Sequence, residues 1–330
     1  MERNKALDIC KGIGILLVVI GHMGTPIGRI VYGFHMGLFF FLSGLCFKDS
    51  YLNGGLNFIK KRAHRLLLPY LFFPLMAYLF VPHEYSPLYK MWSISYPYHL
   101  LGTMWFLKAL FIVSILCWII IKISYHYFEK SIFVLPIIVL FVFFIFLYYT
   151  GISSSRNLYY CTFYLMGYSV KKSGIDIFAS GQLTSNKLLL LCSSFLVLVF
   201  MSYYAETIIQ EVDCSTFIPY FISSSCGIYL TCQIVGYIRA ESIWGKIMAS
   251  LGCLTMSIMI FNWASFWLLD TVLDYLDICL LPDKIVYWAS QLTIAIAIPV
   301  FLNNIYSFVK DLYRCLLSKF LALYGKNNNS

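Results

Sequence analysis

The chain has 330 residues, of which 60% are hydrophobic and only 12% are charged. A soluble domain of this length is about half apolar and about a quarter charged, so the composition excludes an ordinary soluble protein. The formal net charge is +9, but the basic residues lie between long apolar runs, which disfavours nucleic acid as a partner. We therefore expect a multi-pass membrane protein in contact with lipid.

Ten apolar segments predict an all-α fold, a polytopic transmembrane helical bundle that forms a single domain over residues 1–330. They lie at about 8–25, 30–47, 66–82, 101–122, 132–150, 157–171, 187–204, 217–238, 247–269 and 285–306. Most of the 24 basic residues fall on one side of this arrangement, which predicts both termini on the cytoplasmic side. The first segment contains charged residues and is expected to be a retained span rather than a cleaved signal peptide.

The first predicted span carries two ionisable residues, Lys11 and His22, inside an apolar run. Ionisable groups are costly in a bilayer and mark functional sites by default. Eleven residues of α-helix rise about 16 Å and return to within about 20° of the starting direction. Lys11 and His22 are therefore expected on one face, near opposite membrane surfaces. Asp8, three residues before Lys11, is its predicted ion-pair partner.

A second histidine, His35, lies near the predicted outer end of the second span, at about the depth of His22. Neutral imidazole is the usual general base near neutral pH, and it can also accept an acyl group itself. Both roles stay open for His22, with His35 assisting it.

Arg62 and Arg65 lie at the predicted cytoplasmic start of the third span. Residues three apart share a helical face, and the planar guanidinium suits phosphate oxygens. Coenzyme A carries several phosphates. Lys11, Arg62 and Arg65 are therefore predicted to bind an acyl-CoA donor at the cytoplasmic mouth, while its thioester reaches the histidines.

Several segments resemble the acyltransferase-3 family of integral membrane O-acyltransferases, in particular its fucose 4-O-acetylase-like branch. The specific segments are residues 7–22, 34–44 and 62–70, and weaker similarity lies at 104–107, 164–168 and 251–258. The resemblance maps the family's basic residue and histidine onto Lys11 and His22, and its Arg-x-x-Arg onto Arg62 and Arg65. It implies about ten spans in the bacterial cytoplasmic membrane, with acetyl-CoA or another short acyl-CoA as donor. The implied acceptor is a surface polysaccharide or its lipid-linked precursor.

Three positions depart from the pattern of this family. Lys11 stands where many members have arginine, so the charge is kept and the bidentate fork is lost. Gly37 stands where proline is usual, and Asn262 stands where a histidine is expected. Because asparagine does not titrate, no catalytic role is expected for Asn262.

The sequence leaves a second function open, a transporter or exporter of glycan or lipid-linked oligosaccharide in which the same polar residues line a conduit. No metal-ligand spacing is present, so no metal is expected. The 11 cysteines are scattered and are expected to act as packing residues. Whether Cys214 and Cys279 pair is left open, as are the acceptor hydroxyl, the acyl group and the oligomeric state.

Overall fold

The structure is a computed structural model that describes residues 4–73, 104–127, 156–178, 181–205, 214–278 and 285–326, together with positions 138 and 142. Throughout these residues the chain is helical or forms short connections, with no β-strand. The predicted all-α fold is confirmed. The fifth predicted span, 132–150, lies outside the described residues except for positions 138 and 142. Cys279 also lies outside them.

The α-helices of the described chain follow one another with short connections. In chain order they are α1 (Lys5–His22), α2 (Gly28–Tyr32), α3 (His35–Leu45), α4 (Ser50–Asn53), α5 (Gly55–Arg62), α6 (Trp105–Tyr127), α7 (Arg156–Ser173), α8 (Ser185–Ala205), α9 (Cys214–Tyr237), α10 (Ile243–Cys253), α11 (Thr255–Tyr275) and α12 (Ile285–Lys326). A π-helical turn, Ala63–Leu67, follows α5 directly, and helix then continues to residue 73.

Six of the described segments are long and apolar enough to cross a membrane. They are Gly28–Leu45, Trp105–Tyr125, Ser185–Tyr203, Ile218–Tyr237, Thr255–Tyr275 and Ile285–Phe308. The chain is thus a multi-pass membrane protein. The total of about ten spans, the cytoplasmic placement of both termini and the single domain stay predictions.

Helix α1 has defined ends. Asn4 is its N-cap, and its side chain accepts a hydrogen bond from the Leu7 amide at 3.1 Å, as expected for this cap residue. At the other end, Gly24 has φ of 66°, a left-handed conformation that glycine adopts without a steric penalty. The chain therefore turns away just after His22, the last residue of α1.

Two predicted spans are interrupted by a break in the helix. The second is divided between α2 and α3 at Gly33, whose carbonyl accepts hydrogen bonds from Ser223 Oγ at 3.0 Å and Ser224 Oγ at 2.9 Å. The ninth is divided between α10 and α11 at Leu254, where Thr255 Oγ1 donates to the Gly252 carbonyl at 2.8 Å. Side-chain hydroxyls thus donate the hydrogen bonds that backbone carbonyls need where the helices are interrupted. Hydropathy alone does not reveal these interruptions.

Helices α1 and α10 pack at the closest distance that a backbone allows. A Cβ atom on Gly12 would lie 1.9 Å from the Met248 carbonyl oxygen, and one on Gly252 would lie 1.9 Å from the Asp8 carbonyl oxygen. Small residues let membrane helices approach in this way. Lys5 also donates to Glu241, just before α10, and this hydrogen bond lowers the pKa of that carboxyl. Both contacts fix the position of the helix that carries Lys11 and His22.

Candidate active site

The structure places Lys11 and His22 on one uninterrupted helix, α1. Their eleven-residue separation corresponds to a rise of about 16 Å along that helix. Lys11 Nζ lies 3.6 Å from Asp8 Oδ1, and the Asp8 side chain is 8% exposed against 28% for Lys11. The predicted Asp8–Lys11 pair is confirmed. Lys11 therefore already faces a buried carboxylate that offsets part of its charge.

His35 opens α3 and is 4% exposed. Its Nδ1 lies 2.8 Å from the carbonyl oxygen of Val31. Because a carbonyl only accepts, Nδ1 must carry the proton and donate it. In the neutral ring the lone pair then lies on Nε2. Local backbone geometry thus fixes the form of His35 that can receive a proton.

Tyr32, the last residue of α2, lies between the two histidines. Its ring meets His22 edge-on with centroids 5.9 Å apart, and it meets His35 edge-on at 5.3 Å. The two imidazoles, expected at one depth from the sequence, contact the same tyrosine. No motif in the sequence indicates Tyr32, although it lies between the two histidines along the chain.

Helix α11 completes the surroundings of His22 through two consecutive residues. Asn262 is fully buried, and its Nδ2 lies 2.7 Å from His22 Nδ1. The indole of Trp263 packs on the His22 ring with centroids 5.4 Å apart. An amide inside an apolar segment destabilises the fold unless it is hydrogen-bonded. The sequence alone therefore indicates that Asn262 has a hydrogen-bond partner, but not which one. We call His22, Tyr32, His35, Asn262 and Trp263 the histidine cluster.

The remaining predicted site residues, Lys11, Arg62 and Arg65, form what we call the basic group. Arg62 is partly buried and its guanidinium lies 5.5 Å from the centroid of the Phe58 ring, whereas Arg65 is exposed. The π-helical turn begins directly after Arg62, and such turns are frequent at functional sites. Within the described residues, no hydrogen bond or ring contact joins Lys11 to either arginine.

The Phe58 ring that contacts Arg62 is stacked in turn on an aromatic residue of α6. Phe58 is stacked on Trp118 with centroids 6.2 Å apart, and Lys122 Nζ lies 5.2 Å from the centroid of the Trp118 ring. The Trp118 indole N–H donates to the Tyr51 carbonyl at 3.0 Å. These contacts fix the Phe58 ring against which the Arg62 guanidinium lies.

The part of the chain that the structure describes contains no group of three His, Cys, Asp or Glu side chains placed to hold a metal ion. What the histidine cluster offers instead is proton transfer or nucleophilic attack by imidazole, next to aromatic rings.

The chain is similar to known proteins along most of its length. The family model described as "Acyltransferase domain" matches residues 4–304. The chain therefore belongs to the acyltransferase-3 family of membrane proteins, as the motifs indicated. It is similar to nodulation protein NolL of Mesorhizobium japonicum, with 31% identity over 135 residues, which is 35% of this chain and 35% of that protein. The match thus spans about a third of the relative's length. No solved structure matches the chain.

Proposed function

We propose that this protein transfers an acetyl or other short acyl group from cytoplasmic acyl-CoA to a hydroxyl of a bacterial surface polysaccharide or its lipid-linked precursor. The observation that carries the proposal is the convergence of His22 and His35 on Tyr32 in a chain of the acyltransferase-3 family. Burying two imidazoles in one apolar site is unfavourable for stability, so ionisable residues in membrane segments are taken first as candidates for function.

In the simplest reaction, His22 removes the proton of the acceptor hydroxyl. The hydroxyl oxygen forms a bond to the thioester carbonyl carbon, and the carbon–sulfur bond then breaks. The departing thiolate takes the proton from the imidazolium and leaves as free CoA thiol. His22 ends neutral, and the ester is the product.

A two-step reaction uses the same residues. His22 attacks the thioester carbon with its unprotonated ring nitrogen, and the carbon–sulfur bond breaks. The departing thiolate takes the remaining ring proton, which leaves an acyl-imidazole and free CoA thiol. The acceptor hydroxyl then attacks the acyl carbon while His35 takes the hydroxyl proton, because the Nε2 lone pair of His35 is fixed by the bond from Nδ1 to Val31. The carbon–nitrogen bond breaks, and the departing His22 ring receives that proton, so both histidines end neutral and the ester is the product. Rapid quenching followed by mass spectrometry distinguishes the two reactions by the presence or absence of acylated His22.

The donor is proposed to lie along α1. Its phosphates would bind the basic group, and its pantetheine arm would cover the rise of about 16 Å between Lys11 and His22. The choice of a glycan acceptor rests on the resemblance to the fucose 4-O-acetylase-like branch. It is supported by Trp263 beside His22, because an indole offers an apolar face with a polar edge.

The test follows radiolabel from acetyl-CoA into glycan, in membranes that contain wild-type protein or His22→Ala. We expect His22→Ala to lower transfer about 100- to 10,000-fold, the usual contribution of a general base. His64→Ala is the matched control because His64 is exposed, and it should retain transfer. Undiminished transfer by His22→Ala would contradict the role of His22. No transfer by wild type, with glycan export still dependent on the protein, would favour a conduit instead.

A further inference from the structure

Asn262 contacts His22 through only one end of its side-chain amide. Its Nδ2 donates to His22 Nδ1 at 2.7 Å. Its Oδ1 is buried and has no hydrogen-bond partner among the described residues. A buried acceptor without a donor is destabilising, so Oδ1 lacks the hydrogen bond that would offset its burial.

The chemistry of a base fixes what His22 needs at Nδ1. To take a proton on Nε2, the neutral ring must carry its proton on Nδ1, and the imidazolium keeps that proton. Nδ1 therefore needs an acceptor before and after proton transfer. In the observed arrangement Nδ1 accepts a hydrogen bond from Nδ2, so the neutral ring has its own proton on Nε2 and cannot act there as a base.

A half-turn of the Asn262 amide exchanges its two ends. The turn brings Oδ1 to the place of Nδ2, at hydrogen-bond distance from His22 Nδ1. We propose that Asn262 is a positioning residue whose Oδ1 accepts a hydrogen bond from Nδ1–H of His22. This hydrogen bond leaves the lone pair on Nε2, which then faces the acceptor hydroxyl or the thioester. This inference rests on the proposed function, since it assigns Asn262 a role through His22.

The neighbouring residues suit such a role. Trp263 packs on the His22 ring, and Phe266 packs edge-on against Trp263 with centroids 6.0 Å apart. Residues 262 and 263 therefore constrain both the plane of the imidazole and the partner of its Nδ1. A neutral amide does this without burying a charge in an apolar site. Asparagine at position 262, where the family pattern has a histidine, cannot transfer a proton itself. It can still orient the imidazole of His22.

The experiment measures turnover, both KM values and the pH profile of transfer for Asn262→Leu and Asn262→Asp in the full chain. Leucine is close to asparagine in size and removes the hydrogen bond. We expect kcat to fall about 10- to 100-fold, the size of loss seen when a metal-ligating histidine loses the group that orients it, with the donor KM within about twofold. Asn303→Leu is the control, because Asn303 is exposed on α12, and it should behave as wild type.

Asn262→Asp separates the two ends of the amide, because a carboxylate accepts hydrogen bonds and does not donate them. We expect this variant to retain more turnover than Asn262→Leu. We also expect the acidic limb of its pH profile to move to higher pH, because a carboxylate stabilises the imidazolium. Thermal unfolding in detergent confirms that each variant is folded. If Asn262→Asp loses as much turnover as Asn262→Leu, with no change in pH profile, the acceptor role is wrong.

A double variant distinguishes failure of this inference from failure of the proposed function. In His22→Ala, adding Asn262→Leu should cause no further loss, because Asn262 acts through His22. If His22→Ala transfers normally, the mechanism through His22 fails and the inference fails with it. If His22→Ala is inactive while Asn262→Leu keeps the kcat and pH profile of wild type, only the inference fails.

Discussion

The histidine cluster and the basic group differ in how far their contacts reach along the chain. His22 hydrogen-bonds Asn262, which is 240 residues away. Lys11 contacts Asp8 three residues away, and Arg62 lies over Phe58 four residues away. Contacts between distant segments fix a side chain relative to the bundle, whereas local contacts fix it only relative to its own helix. His22 is thus fixed relative to α11, whereas His35, through Val31 and Tyr32, has contacts as local as those of the basic group. We expect the fixed geometry of His22 to serve bond making and the basic group to suit a long, flexible ligand.

Burial separates the two groups less sharply. His35 is 4% exposed and Asn262 is fully buried, whereas His22 is partly buried, as are Lys11 and Arg62, and Arg65 is exposed. Electrostatic and hydrogen-bonding effects are strongest where water is excluded, and charged ligands are captured most readily where it is present. If this division is functional, variants of the cluster should change turnover, and variants of the basic group should change the donor KM.

After His22, the largest effect in this comparison is expected at His35. In His35→Asn, the amide can still donate to the Val31 carbonyl while the Nε2 lone pair is lost. We expect kcat to fall about a hundredfold, at the low end of the range for general acid–base groups, with both KM values unchanged. The measurement is steady-state transfer from labelled acetyl-CoA in membranes.

His35→Gln is the matched variant, because its longer amide reaches toward the position of Nε2 and gives up the bond to Val31. It should retain more turnover than His35→Asn and unfold at a lower temperature. If His35→Asn instead keeps more turnover than His35→Gln, together with its higher unfolding temperature, His35 acts mainly by holding the start of α3, and the histidine cluster contains one functional imidazole rather than two.

The same division explains what could be predicted from the sequence. Period and hydropathy predicted the helices, and i,i+3 spacing predicted the Asp8–Lys11 pair, because these depend on neighbours along the chain. The hydrogen bond from Asn262 to His22 and the break at Leu254 depend on how α11 and α10 pack against α1. A single sequence does not encode such contacts in any local pattern. The family motifs indicated His22 and His35, and the structure added Tyr32, Asn262 and Trp263.

A smaller effect is expected at the arginines. A hydrogen bond to a charged group contributes about 1.5–3 kcal/mol, so Arg62→Ala should raise the donor KM about tenfold and leave the acceptor KM within about twofold. Arg65→Ala should raise the donor KM less, because Arg65 is exposed and its contacts with phosphate are screened by salt. The check is the donor KM measured for each variant at two salt concentrations.

Lys310→Ala provides a matched control for Arg62→Ala. Lys310 Nζ lies 5.9 Å from the centroid of the Tyr306 ring, four residues away on α12, which reproduces the local arrangement of Arg62 over Phe58. Losing this cation should leave the donor KM unchanged. An equal rise in both variants would mean that overall positive charge, rather than a phosphate site at Arg62, attracts the donor.

The smallest effect is expected at Lys11, because Asp8 already lies 3.6 Å from its ammonium group. Lys11→Arg keeps the charge and supplies a planar fork, so the donor KM should fall about twofold to threefold if this position contacts phosphate. Lys11→Met should raise the donor KM by a similar factor.

If Lys11 instead serves only to neutralise buried Asp8, Lys11→Met should lower the amount of folded protein. Adding Asp8→Asn to the same chain should then restore the folded protein without changing the donor KM. Donor KM and folded yield, measured on the same membranes, therefore decide whether Lys11 binds the donor or stabilises the base of α1.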